Sequence, residues 1–156
     1  MIGKFAGGRS NVNTVPMTEK HISQIAALEK ECFSEPWSED GLTSELTNEQ
    51  ARFFVCEEEG KVLGYMGMHI ILDECYIANV ADFPDCRRRG IGERLVRYCT
   101  DVAEKEGCCF ITLEVRKSNL GAIALYEKNG FAVVGERKDF YTHPKENGLI
   151  MTKELR

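Results

Sequence analysis

The sequence predicts an α/β (α+β) protein with a mixed sheet of six or seven strands flanked by helices. Segments of helical and of strand periodicity alternate in the C-terminal part of the chain, without an internal repeat. The strands before them follow one another closely, as in an antiparallel meander. With 156 residues, the chain is long enough for one domain with a full core.

Seven segments have strand character, because they are rich in β-branched and aromatic residues and bounded by turn residues. The glycine within residues 58–61 predicts a hairpin between the second and third of them, and the last two are expected to pair. The predicted strands are residues 13–17, 52–58, 61–71, 75–81, 109–115, 131–141 and 147–155.

Four helices are predicted from apolar residues at helical spacing and from capping residues. The first extends from Thr18 to about Cys32, and the second is a short helix near residues 38–47. The third follows the stretch RRRGIG and has one apolar face, formed by Leu95, Val96, Cys99, Val102 and Ala103. The predicted caps and stops are Thr18, Ser38, Gly107, Ser118 or Asn119, and Gly130.

Composition excludes several classes of protein. The net charge of −5 argues against a general nucleic-acid-binding domain, which is usually basic. No segment approaches the roughly 20 apolar residues of a membrane-spanning helix, and the N-terminal stretch lacks a signal peptide, so we expect a cytoplasmic protein. Residues 1–11 are expected to be a flexible extension or a cloning remnant, which leaves residues 12–156 as the domain.

The seven cysteines are expected to be reduced thiols. Their number is odd, no C-x-x-C spacing occurs, and Cys108 and Cys109 would point to opposite faces of a strand. A cysteine nucleophile would need a base, and the three histidines show no recognisable pairing with a cysteine. We therefore expect neither a metal site nor a disulfide framework.

The stretch RRRGIG (87–92) places three arginines and two glycines between a strand and a helix. The free N–H groups and the dipole of a helix start attract anions, and glycine lets a phosphate approach the backbone. The stretch is neither a Walker loop nor a complete dinucleotide fingerprint. A turn with exposed arginines remains a simpler interpretation, and RNA binding is disfavoured by the net charge and by the lack of nearby stacking aromatics.

RRRGIG also fits the pattern R/Q-x-x-G-x-G/A, and the sequence resembles the GNAT N-acetyltransferase superfamily. Within that superfamily, LEVRKSNLGAIALYEKNGFAVVGERKDFY and CFSEPWSEDGL resemble the bacterial ribosomal-protein-alanine N-acetyltransferases, and the similarity covers roughly residues 12–155. The resemblance implies the GNAT fold and direct transfer of acetyl from acetyl-CoA in a ternary complex. It implies as acceptor the α-amine of a protein, an N-terminal alanine of a small-subunit ribosomal protein.

The resemblance also implies roles for single residues. Glu114 matches the general base and Tyr126 the general acid, and Trp37 and Tyr141 are candidates for binding the acceptor. The family usually has an apolar residue at the position of Asp82. The backbone contact with the cofactor does not depend on the side chain, but the Asp82 carboxylate adds negative charge near the cofactor. The implied acetyl-CoA-binding residues are Val80, Ala81, Asp82, Arg87, Arg88, Arg89, Gly90, Ile91, Gly92, Glu93 and Asn119.

The residues themselves leave other interpretations open. Glu114 also fits a solvated carboxylate at a strand end, and Tyr126 a packed core tyrosine. Trp37 fits a core anchor as well as a pocket wall, and Tyr141 fits a loop aromatic. The acceptor could instead be a small-molecule amine or a lysine side chain, and a non-catalytic acyl-CoA-binding module is a further alternative. A base and an acid together favour an enzyme, because binding alone needs neither.

Overall fold

The computed structural model describes residues 11–82 and 89–156. The predicted extension, residues 1–11, lies outside this part of the chain except for Asn11. The strands are β1 (Val12–Pro16), β2 (Ala51–Glu58), β3 (Lys61–Ile71), β4 (Glu74–Asp82), β5 (Phe110–Arg116), β6 (Ala132–Thr142) and β7 (Lys145–Glu154). The helices are α1 (Ile22–Cys32), α2 (Glu39–Glu45), α3 (Ile91–Lys105) and α4 (Leu120–Lys128).

The strands form one mixed sheet in the order β1-β2-β3-β4-β5-β7-β6, which confirms the predicted fold class. Strands β1 to β4 are an antiparallel meander, and helix α3 connects β4 to the parallel strand β5. Strand β7 lies between β5 and β6, an insertion that the sequence did not predict. Met151 of β7 is fully buried whereas β6 is largely exposed, as expected for an inner strand and an edge strand.

Strands β4 and β5 pair over only three residue pairs, from Glu74 opposite Phe110 to Tyr76 opposite Thr112. Beyond that point β4 continues its pairing with β3, and β5 continues its pairing with β7. The two neighbours therefore separate, and the sheet opens between residues 77–82 and residues 113–116.

A β-bulge lies at the start of this opening. In the register of β3 and β4, Met68 is opposite Ile77 and Gly67 is opposite Asn79, which leaves Ala78 as the extra residue. A Cβ atom on Gly67 would lie 2.3 Å from the Phe53 ring, so only glycine fits beside the bulge. The extra residue reverses the alternation of side chains along the rest of β4.

The sheet carries a separate hydrophobic core on each face. Alternate residues of β2 show the division, because Phe53 and Val55 pack with α1 and α2, whereas Phe54 and Cys56 pack with α3. The α1–α2 face includes Ile22, Ile25, Leu28, Leu42, Tyr65 and Ala81. The α3–α4 face includes Ile91, Leu95, Cys99, Ile111, Leu113, Val115 and Tyr126.

The predicted helix ends are largely confirmed. The Ser38 side chain accepts a hydrogen bond from the Gly41 amide at 3.0 Å, and Asn119, rather than Ser118, caps α4 by accepting one from Ala122 at 3.1 Å. The predicted stops Gly107 and Gly130 have φ of 81° and 94°, the left-handed conformation of a helix C-terminus.

Thr18 is the N-cap of the first helical segment, as predicted, but the first turn after it is not α-helical. A 3-10 turn, Glu19–His21, precedes α1. The His21 side chain reaches back to the Thr18 amide at 3.0 Å, and this capping interaction holds the tighter turn.

Five cysteines within the described residues are free thiols, as predicted: Cys56, Cys75, Cys99, Cys108 and Cys109. Cys86 lies outside residues 11–82 and 89–156. Over these two ranges, no group of three or more metal-binding side chains is close enough to hold an ion. None of the helices in them has the length and apolar character needed to cross a membrane.

Candidate active site

The opening between β4 and β5 leaves one edge of β4 without a strand partner. In the described part of the chain, residues 77–82 pair with β3 on one side only. Backbone N–H and C=O groups at such an edge can bond an extended ligand that carries amides. Val80 is partly buried against the α3–α4 core and Ala81 is 6% exposed, so this edge is held firmly from both faces. The backbone of Asp82 pairs with Gly64 at the end of β4.

The start of α3 is an open helix N-terminus. Gly90 is the N-cap residue with φ 74° and ψ 22°, and no side chain caps the helix there. Among residues 11–82 and 89–156, no atom lies within 4 Å of a Cβ atom built on Gly90. Ile91 is 2% exposed and anchors the turn in the core, while Gly92 and Glu93 complete the first turn. This geometry can hold an anionic group.

The arginines before this helix divide into two groups. Arg87 and Arg88 lie outside the described residues. Arg89 donates two hydrogen bonds to the Glu58 carboxylate, both of 3.0 Å, and so ties the start of α3 to the end of β2. This bidentate pair lowers the pKa of Glu58.

A polar cavity of about 610 Å³ lies between α3 and α4. Glu93 and Lys128 pair at 3.1 Å and both line it. The other lining residues are Arg97, Thr100, Asp101, Glu104, Asn129, Gly130 and Lys153. Asn119 is not among them; it lies at the other end of α4, where its side-chain oxygen caps the helix.

Glu114 lies where β5 has left β4. Ile111, Leu113 and Val115 are buried in the α3–α4 core, so alternation places Glu114 on the opposite, α1–α2 face. Its side chain is 34% exposed and lies 3.3 Å from the Arg137 guanidinium. Glu114 is therefore a partly solvated, ion-paired carboxylate.

Tyr126 approaches the same region from the α3–α4 face. The residue is 6% exposed, and its ring centroid lies 5.6 Å from that of Phe131. Burial, together with the nearby Tyr141, raises the pKa of Tyr126, which keeps the phenol protonated.

Tyr141 connects these two residues. Burial raises the pKa of Tyr141, and the negative charge of Glu114 raises it further, while Tyr141 itself acts on Tyr126. The guanidinium of Arg116 lies 4.3 Å from the centroid of the Tyr141 ring. Arg116 also bonds the carbonyl oxygens of Pro144 and His143, at 2.9 and 3.1 Å. Tyr141 is thus a fixed strand residue and not a loop aromatic.

Trp37 lies in the loop between α1 and α2. Its ring centroid is 5.8 Å from that of Phe53, and the side chain packs at the border of the α1–α2 core. Its backbone N–H donates a 3.0 Å hydrogen bond to Glu29. These contacts agree with the core-anchor interpretation and leave a second role open.

Sequence reasoning missed two residues of this region, Glu29 and Arg116. Glu29 is 0% exposed and lies on the apolar face of α1. A carboxylate at a core position of this face is the sequence feature that could have indicated a special role. Arg116 follows Glu114 on the same face of β5, but its stacking partner comes from β6. Only the folded sheet shows that contact.

The family model described as "Acetyltransferase (GNAT) family" matches residues 22–131, which include the opening, the start of α3 and both Glu114 and Tyr126. The chain belongs to the GNAT acetyltransferase family. As a GNAT enzyme, it is an N-acetyltransferase that depends on acetyl-CoA.

Individual relatives narrow the comparison. The ribosomal protein bS18 alanine N-acetyltransferase of Escherichia coli (strain K12) is 36% identical over 128 residues, 80% of this GNAT chain and 84% of the relative. A Bacillus subtilis (strain 168) relative is 35% identical over 136 residues, 86% of this chain and 90% of its own length.

Solved structures agree with these relatives. The crystal structure of the ribosomal-protein-S18-alanine N-acetyltransferase from Escherichia coli superposes with a TM-score of 0.85 at 31% identity, covering 92% of this chain and 94% of that one. The Ard1 structure from Thermoplasma volcanium has a TM-score of 0.86 at 21% identity, covers 94% and 99% of the two chains, and supports the fold alone.

Proposed function

We propose that this GNAT enzyme acetylates the N-terminal α-amine of a protein, the N-terminal alanine of a small-subunit ribosomal protein. Relatives that share 36% identity across most of both chains carry this acceptor in their names. The observation that carries the proposal is the opening between β4 and β5, with Glu114 on one face and Tyr126 on the other. Since ribosomal proteins are made in the cytoplasm, the reaction would take place there.

Acetyl-CoA supplies the acetyl thioester. The residues that would hold it are the unpaired edge of β4 at Val80, Ala81 and Asp82 and the start of α3 from Arg87 to Glu93. Two features of the described residues support the fit: the edge of β4 that pairs with no other strand there, and the uncapped helix N-terminus at Gly90. Asn119 would contribute indirectly, by holding the start of α4 in place, because its side chain caps that helix.

The acceptor would approach the α1–α2 face. On this face, two segments border the opening: the α1–α2 loop with Trp37 and the β6–β7 turn beside Tyr141. They contact one another, because Ser34 donates a hydrogen bond to the His143 carbonyl oxygen and Glu35 lies 3.7 Å from the His143 ring. A bordered entrance of this kind suits the end of an extended chain.

Glu114 would be the general base. An α-amine is protonated at neutral pH and must lose a proton before it can attack a thioester. Glu114 faces the side from which the acceptor would arrive, and its carboxylate is 34% exposed, within reach of an amine or of a bridging water. Arg137, at 3.3 Å, holds the carboxylate at the border of the opening.

Tyr126 would be the general acid. Its phenol lies on the opposite face, and its raised pKa keeps a proton available for a departing thiolate. In a direct transfer, Glu114 would accept a proton from the amine, and Tyr126 would donate a different proton to the departing thiolate.

The test compares acceptors at several pH values. Peptides that begin with alanine should be acetylated much faster than the same peptides with a blocked N-terminus and an internal lysine. The α-amine rate should rise through about pH 8, whereas a lysine would require about pH 10. Faster acetylation of the blocked, lysine-containing peptide would reject the α-amine acceptor.

Glu114→Gln tests the base. Turnover should fall about 10²–10⁴-fold, while calorimetry should show wild-type binding of acetyl-CoA. Higher pH should partly restore the rate, because more of the acceptor is already neutral. Glu136→Gln is the matched control, since Glu136 also forms an exposed ion pair on β6, with Lys117 at 3.1 Å. Equal turnover in wild type and Glu114→Gln would make Glu114 structural.

A further inference from the structure

Glu29 is a buried carboxylate that the proposed chemistry does not use. The residue is 0% exposed on α1, within the core that faces α2. Its carboxylate accepts hydrogen bonds from the Tyr65 hydroxyl at 2.5 Å, the Asn79 amide at 2.5 Å and the Trp37 backbone N–H at 3.0 Å. Asn79 also donates to the Tyr65 hydroxyl at 3.1 Å.

Three elements meet at this carboxylate. Tyr65 comes from β3, Asn79 from β4, and Trp37 from the loop between α1 and α2. Among the described residues, no enclosed polar side-chain atom is left without a partner, so the network is complete. Burial raises the pKa of Glu29, and its three hydrogen bonds act in the opposite direction.

An apolar residue would be the simpler solution at this position. Burying a carboxylate is costly, and apolar side chains of similar volume often serve stability as well. Ile25 and Leu28, on the same face of α1, are both fully buried. The carboxylate must therefore contribute something that packing does not. Its three directed hydrogen bonds fix the positions of the groups that donate them.

The β-bulge is what brings Asn79 to Glu29. Cys75 and Ile77 pack in the α3–α4 core, and regular alternation would direct Asn79 to that same face. The extra residue Ala78 reverses the alternation, so Asn79 reaches Glu29 on the α1–α2 face. Val80, the next residue, then lies on the unpaired edge of β4.

We propose that Glu29 is a positioning residue that fixes the acceptor loop at Trp37 to the donor-binding edge of β4 at Asn79. This inference rests on the proposed function, in which the loop receives the acceptor and the strand edge receives acetyl-CoA. The carboxylate spans the two segments with one bond to each. Loss of that connection leaves both segments folded but separately placed.

Glu29→Gln is the first test. The amide offers one acceptor oxygen in place of two. With that oxygen kept at Tyr65 and Asn79, the new NH₂ group faces the Trp37 N–H donor, so the bond to the loop is lost. The KM for an alanine peptide should rise about ten- to hundredfold, as expected for one charge-assisted hydrogen bond. The Kd for acetyl-CoA should stay within about threefold of wild type.

Tyr65→Phe is the matched control. It removes a third donor to the same carboxylate but leaves both the loop bond and the Asn79 bond in place. We expect Tyr65→Phe to lower the Tm about as much as Glu29→Gln does. Its KM for the peptide should stay within about threefold of wild type. If Tyr65→Phe raised the peptide KM as much as Glu29→Gln does, Glu29 would be a stability residue and the proposal would fail.

Trp37 gives a readout that does not depend on the acceptor. It is the single tryptophan of the chain, so its fluorescence reports the loop alone. Glu29→Gln should shift Trp37 emission to the red and increase acrylamide quenching, whereas Tyr65→Phe should not. Unchanged emission in a folded Glu29→Gln would overturn the positioning role, even if the acceptor assignment also proved wrong.

Asn79→Ala serves if Glu29→Gln does not fold. Asn79 is partly exposed, and its truncation breaks the bond to β4 while keeping the Glu29 bond to Trp37. The peptide KM should rise at least about fivefold, with little change in Trp37 emission. A wild-type peptide KM in this variant would also overturn the proposal.

Discussion

Gly90→Glu tests whether the start of α3 holds the pyrophosphate of acetyl-CoA. Gly90 has φ 74°, and a Cβ atom added there meets no atom of the described residues within 4 Å. The new carboxylate would therefore stand before the helix without a clash against those residues. That position is where the proposed function requires the phosphates.

Gly90→Glu should have two effects, one on folding stability and one on the affinity for acetyl-CoA. Any L-residue at this left-handed φ costs about 1–2 kcal/mol of folding free energy, which applies equally to Gly90→Ala. The carboxylate adds repulsion, and two unit charges about 6 Å apart interact by about 3 kcal/mol at an effective dielectric constant of about 20. This repulsion alone corresponds to about a hundredfold in Kd.

Calorimetry with acetyl-CoA measures the effect on wild type, Gly90→Ala, Gly90→Glu and a control, Gly107→Glu. Gly107 has φ 81°, and only the Arg156 guanidinium, at 3.9 Å, lies near an added Cβ. It follows α3 at its far end, about 22 Å from Gly90 for a helix of 15 residues. Gly107→Glu therefore introduces similar strain and the same charge away from the site.

We expect Gly90→Glu to bind at least about a hundredfold more weakly, Gly90→Ala within about tenfold of wild type, and Gly107→Glu like wild type. A folded Gly90→Glu with wild-type affinity would refute the phosphate site. Equal weakening in Gly107→Glu would attribute the loss to stability or net charge.

Two further predictions concern the acid and the core. Because burial raises the pKa of Tyr126 above its ordinary value, activity should not fall through phenol ionisation up to about pH 10, and Tyr126→Phe should lower turnover about a hundredfold with normal acetyl-CoA binding. A loss below pH 9 that Tyr126→Phe abolishes would contradict this. Leu95→Ala, at a fully buried position, should cost about 2–5 kcal/mol in denaturant unfolding, whereas Leu120→Ala, 74% exposed, should stay within about 0.5 kcal/mol; similar losses for both would show that α3 does not anchor the core.

The parts of the fold that depend on neighbouring residues could be predicted from the sequence. Ser38 and Asn119 cap helices with bonds that span three residues, and Gly107 and Gly130 end helices by their own conformation. The 3-10 turn before α1 was missed because His21 is an unusual residue for a capping interaction.

The pairing of β2 with β3 and of β6 with β7 was predicted as well, but contacts between strands that are distant in sequence were not. The bulge at Ala78 accompanies the close packing of Gly67 against Phe53, which come from different strands. The insertion of β7 between β5 and β6 decides which residues of β6 stand beside Glu114. The ion pair of Glu114 with Arg137 and the stack of Arg116 on Tyr141 could be seen only in the folded sheet.

The separation of β4 from β5 has a consequence for the kinetics. The opening passes through the whole sheet, with Glu114 reached from one face and Tyr126 from the other. Two substrates that enter by different faces can be present together, and neither has to leave before the other arrives. Double-reciprocal plots of rate should then give intersecting lines, whereas parallel lines would mean that a side chain carries the acetyl group between two separate half-reactions.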